Sequence, residues 1–191
     1  MGVKRRNLVR VQTRFGRPGA SRREPCAFTL VELLIVVGII GLLAAVLLPS
    51  MVRAREIARR VACRTNLHDL SVAMRMYLNG SNDFMPVAAE MPSQHLNNDA
   101  PIADVLAPHV TERKVFQCPS DTEKKYYETE GSSYEYNSLL GGQRMDQTFF
   151  TRRFGEAKTP VMYDYESFHG PAGELGASNF LFADGHVGDM E

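Results

Sequence analysis

The chain has 191 residues, of which 44% are hydrophobic, and this composition excludes a disordered protein and predicts one modest core. Its formal net charge is zero, with 22 basic and 22 acidic residues. The charges are nevertheless separated, because the first 27 residues hold eight basic side chains against one acidic side chain, a net charge of +7 that leaves the rest of the chain at −7.

The first predicted element is an apolar helix that follows the basic segment and covers residues 28–48. Its 21 residues include one charged side chain, Glu32, and a helix of this length spans the hydrocarbon core of a bilayer, about 30 Å. The preceding basic residues predict a cytoplasmic N-terminus. A cleaved secretory signal is disfavoured because no small-x-small site follows, and Ser21–Arg23 matches a twin-arginine signal poorly. A simple signal anchor would leave Glu32 unexplained, since an unpaired carboxylate in hydrocarbon is costly.

The stretch "AFTLVELLIVVGIIGLLAAVLLP" resembles the N-terminus of type IV pilins and type II secretion pseudopilins. In that family a basic leader precedes a phenylalanine, a threonine-leucine pair, a glutamate and an apolar helix. The resemblance implies that a prepilin peptidase cuts between Ala27 and Phe28 and methylates the new amino group of Phe28. It also implies a non-enzymatic subunit that assembles with other pilin-like subunits on an inner-membrane platform, as a pseudopilus for protein secretion or as a type IV pilus.

Cleavage would give Glu32 a partner. The new ammonium group of Phe28 on one subunit can lie opposite Glu32 of a neighbour in a stack of parallel helices. Opposite charges in surroundings of low dielectric constant offset their desolvation only when both are present, so the pair would set the register of the stack. The alternative is a Glu32 that is protonated or that extends towards the membrane surface.

The helical pattern continues beyond Pro49 as far as Gly80. Asn79 and Gly80 predict a C-cap, and hence one helix from about Phe28 to Leu78. Apolar residues spaced by three and four positions predict one buried face: Cys63, Leu67, Leu70, Met74 and Tyr77. A cluster of arginines follows the apolar run, where it could contact lipid phosphates or acidic neighbours, but a solvated face is favoured: Arg53, Arg55, Arg59, Arg60 and Arg64.

The rest of the chain is predicted to form a small domain. Asp99 and Pro101 predict the cap and first turn of a short helix ending near Pro108. Three segments predict strands, namely "SSYEYNSLL", "TPVMYDYESF" and "SNFLFADGHVGDM", the last as a hairpin that turns at Asp184 and Gly185. Such a sheet needs a cover, which the apolar helix face can provide.

The predicted fold is therefore α+β and pilin-like, with the second half of a long helix packed on a small antiparallel sheet. The predicted organisation is a leader over residues 1–27, a membrane-spanning half-helix over 28–48, its amphipathic continuation over 49–78 and a globular domain over 79–191. The protein is expected in the inner membrane as a single-pass chain with a periplasmic C-terminal domain, and in a pseudopilus after assembly.

Three stretches of the second half also resemble a group of pseudopilin-like bacterial proteins marked by a histidine and a downstream Asp-Gly pair: "ARRVACRTNLHDL", "FQCPSD" and "FLFADGHV". Fourteen residues separate His169 from Asp184. This spacing exceeds the usual one, and "GPAGELG" is the candidate insertion. The group implies no defined reaction.

Two cysteines remain if the leader, which contains Cys26, is removed. Cys63 and Cys118 are predicted outside the cytoplasm, where disulfides persist. A bridge between them would tie a loop to the helix. The alternative is two buried free thiols.

Ligand and catalytic sites have weaker support. His169, Asp184, His186 and Asp189 lack the spacing of the common metal motifs. Calcium-binding pseudopilins make Asp184 and Asp189 possible calcium ligands by resemblance, and no other cofactor is expected. No motif for nucleophilic catalysis is present.

The acidic C-terminal part disfavours nucleic acid as a partner. Residues 79–191 contain 8 basic and 18 acidic side chains, a charge that repels a polyanion. Its tyrosines could form a contact surface for sugar or protein, but alternating strand tyrosines more often pack within a sheet: Tyr126, Tyr127, Tyr134 and Tyr136.

A second class of function stays open. The chain could be a single-pass anchored protein that never polymerises and binds a ligand or partner outside the cytoplasm. Glu32 and its threonine-leucine context favour the assembling subunit, and dependence on prepilin peptidase separates the two.

Overall fold

The structure is a computed structural model that describes residues 29–94 and 98–190. The predicted leader, with Cys26 and the cut between Ala27 and Phe28, lies outside the described residues. One compact unit ends at Ala44 and a second begins at Ala45.

Helix α1 spans Leu30–Gly80 and contains Pro49 within it. In the first unit its large apolar side chains, from Leu30 to Leu43, are 48–78% exposed. Among the described helices, α1 is long and apolar enough to cross a membrane. The predicted long helix is therefore confirmed over the residues that the structure describes.

The end of α1 differs from the prediction. Asn79 and Gly80, predicted to cap the helix, lie inside it. The amide of Asp83 donates a hydrogen bond to the carbonyl of Leu78 over 3.0 Å, and Asn82 and Asp83 have positive φ angles of 55° and 64°. Asparagine and aspartate tolerate this left-handed conformation better than most residues with a side chain. The chain therefore turns at Asn82 and Asp83, two to three residues after Gly80.

Short helices connect α1 to the sheet. They are α2 (Ile102–Val105), α3 (Tyr126–Thr129) and α4 (Phe149–Phe154), together with 3₁₀ turns at Pro92–Gln94, Ala107–His109, Arg113–Phe116, Ser138–Leu140, Met145–Gln147 and Glu156–Lys158.

The cap of α2 was predicted at the wrong residue. Pro101 occupies the N-cap, not Asp99, and its carbonyl accepts the amide of Asp104 over 2.9 Å. A proline lacks an N–H but keeps its carbonyl, so it can start a helix as well as stand in its first turn.

The sheet contains β1 (Tyr134–Tyr136), β2 (Pro160–Asp164), β3 (Phe180–Phe182) and β4 (Val187–Gly188). All neighbouring strands are antiparallel, in the order β1-β2-β3-β4. The hairpin between β3 and β4 turns at Asp184 and Gly185 as predicted, where the amide of Gly185 donates to the carbonyl of Phe182 over 2.9 Å. Gly185 has φ +91°, a conformation that favours glycine.

The core of the second unit lies between α1 and the sheet. The predicted apolar face of α1 is buried at Cys63, Leu67, Leu70 and Met74, and Tyr77 packs at its edge. From the sheet, the core takes Tyr134, Tyr136, Val161, Met162 and Leu181. Burial of each large apolar side chain stabilises the fold by about 1.5–3 kcal/mol. The α+β arrangement predicted from the sequence is confirmed.

Candidate functional site

The first candidate site is the start of α1. Oε2 of Glu32 accepts hydrogen bonds from the amide and the hydroxyl of Thr29, over 2.9 and 2.7 Å. The hydroxyl of Thr29 in turn accepts the amide of Glu32 over 3.2 Å. This reciprocal arrangement resembles a capping box, in which a threonine and a glutamate three residues later satisfy free amides of a helix N-terminus. The Thr-x-x-Glu spacing of the sequence is the signal that predicts this cap, which the interpretation of Glu32 as an assembly residue did not include.

The helix that follows presents a continuous apolar surface, and two glycines on it leave space for another helix to pack closely. A methyl group at Gly38 or Gly41 would contact no described atom within 4 Å beyond the adjacent helix backbone. The large apolar side chains around both glycines are exposed. A soluble monomer rarely exposes so long an apolar surface. Small residues on such a helix allow another helix to pack closely in lipid, so this surface suits both a bilayer and helix partners.

The second candidate site lies in the second unit, where a histidine meets the two cysteines. Cys63 and Cys118 form a disulfide. Nε2 of His169 lies 3.6 Å from Sγ of Cys118, and its Nδ1 lies 2.8 Å from Oε1 of Glu56, on α1. The side chain of His169 is fully buried. Burial lowers the pKa of His169 despite the nearby Glu56 carboxylate, so the neutral ring donates from Nδ1 to Glu56 and keeps the lone pair of Nε2 towards the sulfur.

A buried carboxyl group lies on the other side of the same ring. Oδ2 of Asp164, at the end of β2, is 3.7 Å from Nε2 of His169. It accepts the backbone and side-chain amides of Asn179 over 2.7 and 2.9 Å, whereas its buried Oδ1 has no hydrogen-bond partner among the described residues. Burial raises the pKa of Asp164 to about 7, because removal from water destabilises the charged form more than these hydrogen bonds stabilise it.

Two arginines of α1 hold the end of the chain near this cluster. Oδ1 of Asp189 accepts Arg60 over 2.7 Å and Arg64 over 2.8 Å. Nε of Arg64 also donates to Oδ1 of Asn179 over 2.9 Å. Arg60 and Arg64 are only partly exposed, at 29% and 36% of their side chains, because the residues after β4 bring an acidic neighbour. This was the alternative to the solvated face that the sequence favours.

Comparisons with known proteins cover part of the chain. The family model for the prokaryotic N-terminal methylation motif matches residues 22–48. The type IV wide pilus major component PilA4 of Thermus thermophilus is 37% identical over 76 residues, which are 40% of this chain and 58% of that protein. The chain is similar in part to type IV pilins. The type IV major pilin protein PilA of Myxococcus xanthus is also similar to it, with 34% identity over 64 residues, 34% of this chain and 29% of that protein.

These similarities cover only part of each protein. The chain spans less than two thirds of the length of either relative. No solved structure matches it significantly. The family match therefore identifies the class of segment at residues 22–48, and no solved structure provides a template for the geometry of the second unit.

The structure gives different partners to the two residues predicted as possible calcium ligands. Asp189 is bound by Arg60 and Arg64, whereas Oδ1 of Asp184 accepts the backbone amide of His186 over 3.0 Å and lies 2.6 Å from its Nδ1. Two guanidinium groups repel a cation from Asp189. Among the described residues, the one group of at least three histidine, cysteine or carboxylate side chains able to surround a metal is Cys63, Cys118 and His169.

Two of the predicted tyrosines belong to the core. Tyr134 and Tyr136 are fully buried, and burial raises the pKa of both phenols. The hydroxyl of Tyr136 donates to the carbonyl of Pro86 over 2.8 Å. Sheet packing, favoured from the sequence, is therefore confirmed for these two, while Tyr126 stacks on Tyr165 at a centroid distance of 4.7 Å.

Proposed function

We propose that the chain is a structural subunit that is processed at its N-terminus and assembled into a filament of the pilus or pseudopilus type. The match of the methylation motif to residues 22–48 carries the proposal, because this segment contains Ala27, Phe28 and Glu32. The exposed apolar surface of α1 supports it. A membrane would cover this surface before assembly, and neighbouring helices would cover it afterwards.

The proposed processing step is a cut by prepilin peptidase between Ala27 and Phe28, followed by methylation of the Phe28 amine. It would take place at the inner membrane, with the N-terminus in the cytoplasm and the second unit in the periplasm, as the basic leader indicates. Intact-mass measurement of membrane protein from cells with and without the peptidase tests it. The expected product begins at methylated Phe28 only when the peptidase is present, and a chain that keeps Met1 in both strains would contradict the proposal.

Glu32 is the proposed assembly residue, through a contact with the Phe28 ammonium of a neighbouring subunit. The capping arrangement raises a competing explanation, in which Glu32 only stabilises its own helix. Three variants separate the explanations. Glu32→Gln keeps a capping side chain but loses the charge, Glu32→Leu loses both, and Thr29→Ala keeps the charge but removes the capping hydroxyl.

Filament yield, measured against the amount of membrane-inserted protein, distinguishes the outcomes. If the charge pairs with a neighbour, Glu32→Gln and Glu32→Leu insert normally but form no filaments, and Thr29→Ala assembles. Assembly of Glu32→Gln together with failure of Thr29→Ala would assign Glu32 to helix capping alone. Normal assembly of Glu32→Leu would refute both roles.

The proposed setting is protein secretion, with other pilin-like subunits and an inner-membrane assembly platform as partners. The acidic charge of residues 79–191 argues against nucleic acid as cargo. The proposed role is non-catalytic, because a filament subunit acts through its surfaces. Calcium at Asp184 and Asp189 is not part of the proposal, since Asp189 already has two cationic partners.

One observation also favours a second function, that of a membrane-anchored monomer that does not polymerise. Thr29 satisfies the Glu32 carboxylate within the same chain, so a monomer anchored in the membrane has a use for this glutamate without any neighbour. Such a protein would bind its partner through the second unit. Crosslinking in membranes distinguishes it: a ladder of oligomers supports the assembling subunit, and a persistent monomer supports the anchored domain.

A further inference from the structure

The buried cluster around His169 contains the side chains of a possible zinc site, but two of them, Cys63 and Cys118, are joined by a disulfide. The sulfurs of Cys63 and Cys118 and a ring nitrogen of His169 all lie within 4.8 Å of one another. Thiolate sulfur and imidazole nitrogen are the preferred ligands of structural zinc, at about 2.3 and 2.0–2.1 Å from the metal. In the disulfide neither sulfur is a thiolate, so the bond and the metal are mutually exclusive.

We propose that the reduced chain, before its disulfide forms, binds one zinc ion through Cys63, Cys118 and His169. The thiols are present as soon as the chain is synthesised, so the site needs no reductant. Metal binding replaces the two thiol protons, which are released to solvent. The proposal is independent of filament assembly.

The distances fit this coordination with little rearrangement. A sulfur and a nitrogen that share a tetrahedral zinc ion lie about 3.6 Å apart by the bond lengths above, and Sγ of Cys118 lies 3.6 Å from Nε2 of His169. Two zinc-bound sulfurs lie about 3.8 Å apart, a separation that Cys63 can reach by a small side-chain movement once it is not bonded to Cys118.

The environment of His169 matches that of a metal ligand. Zinc-binding histidines almost always donate their second N–H to a carboxylate, a carbonyl or water, which fixes the ring and the tautomer. Glu56 accepts from Nδ1 over 2.8 Å, and Glu56 is itself held by the hydroxyl of Ser120 over 2.9 Å. The lone pair of Nε2 is therefore directed towards Cys118.

Asp164 provides the nearest candidate for a fourth ligand. Its Oδ2 lies 3.7 Å from Nε2 of His169, and oxygen and nitrogen on one zinc ion would lie about 3.3 Å apart. Its side chain is fully buried, and Oδ1 has no hydrogen-bond partner among the described residues. A buried carboxyl oxygen without a partner is unusual, and a cation beside it would remove this cost.

A cavity of about 250 Å³ shares Glu56 with the cluster. Its charged lining residues are Glu56, Arg59, Glu123, Lys124 and Glu166. Its three carboxylates outnumber its two basic side chains, so its net charge is negative and attracts a cation. Glu56 is 36% exposed at its side chain and joins the cavity to His169.

Cobalt and zinc binding to the full chain in detergent tests the proposal. All variants carry Cys26→Ser, which removes the third thiol, and are kept reduced with a phosphine. Cobalt(II) is expected to bind one ion per chain and to give the sulfur-to-cobalt charge-transfer band and the intense visible bands of a tetrahedral thiolate site. Zinc is expected to displace it, and the oxidised chain is expected to bind neither ion at this site.

Matched variants assign the ligands. His169→Ala is expected to weaken metal binding at least 100-fold, and Glu56→Gln about 10–100-fold as a positioning residue, while His68→Ala, at an exposed histidine of α1, leaves it unchanged. Circular dichroism identifies any variant that fails to fold. If His169→Ala does not fold, Glu56→Gln still tests the proposal, because Glu56 lies at the edge of the core. The proposal is overturned if the reduced chain binds no cobalt, if the thiolate band is absent, or if His169→Ala and His68→Ala bind equally.

Discussion

Asp164→Asn tests the electrostatics of the buried cluster. Burial raises the pKa of this carboxyl group from 3.8 to about 7 in the folded chain. The folded state therefore binds the proton more tightly than the unfolded state. The stability contributed by the neutral form is present below pH 4 and is lost as the pH rises through 7.

The size of this loss follows from the pKa change. At 1.36 kcal/mol for each unit of pKa, ionisation of Asp164 lowers the free energy of unfolding by about 4 kcal/mol between pH 4 and 8. Asparagine has nearly the same shape, can still accept from Asn179 and does not ionise. Relative to the parent, Asp164→Asn is expected to gain about this amount of stability over the same interval.

Urea unfolding of the detergent-solubilised chain at a series of pH values measures the effect. Tyrosine fluorescence can report it, because the sequence has 7 tyrosines and no tryptophan. The decisive quantity is the difference in free energy of unfolding between variant and parent. The contribution of His169, whose pKa is lowered, has the opposite sign and largely cancels in this difference. A constant difference from pH 4 to 8 would refute the assignment of a raised pKa to Asp164.

Three further predictions concern the second unit. Thiol labelling of the unreduced protein is expected to leave Cys63 and Cys118 unmodified, and full labelling would exclude the bridge. The double serine variant is expected to lose about 4 kcal/mol of stability for a loop of 55 residues. Leu67→Ala is expected to lower the free energy of unfolding by about 2–5 kcal/mol because Leu67 is fully buried, and an unchanged urea midpoint would contradict the packing. Tyr136→Phe is expected to lower the free energy of unfolding by about 1–3 kcal/mol, because the carbonyl of Pro86 would lose its hydrogen-bond donor. A loss of less than about 0.5 kcal/mol would show that water replaces the hydroxyl.

The elements that the sequence predicted well are those with a local or periodic cause. The spacing of Cys63, Leu67, Leu70 and Met74 marks one helix face whatever covers it, and the structure buries all four. The Asp184–Gly185 pair predicts a hairpin turn through its own backbone preference. The α+β class followed from these two patterns.

The parts that the sequence did not predict depend on residues far apart in the chain. Glu56 and His169 are 113 positions apart, and Arg60 and Asp189 are 129 apart. No spacing rule relates such pairs, so the sequence does not identify Asp189 as the partner of Arg60 or Glu56 as the partner of His169. The link between Thr29 and Glu32 is different, because the three-residue spacing of a capping box predicts it from local sequence.

The link between Thr29 and Glu32 also bears on how reversible a filament of this chain would be. A glutamate without partners would recover its full desolvation free energy on pairing with a neighbour's ammonium group, and the two subunits would then dissociate with difficulty. Here the carboxylate already holds two donors of its own chain, so a neighbour's ammonium would replace existing bonds, and the net gain would be only the difference. Subunits joined in this way could be added and withdrawn at similar energetic cost.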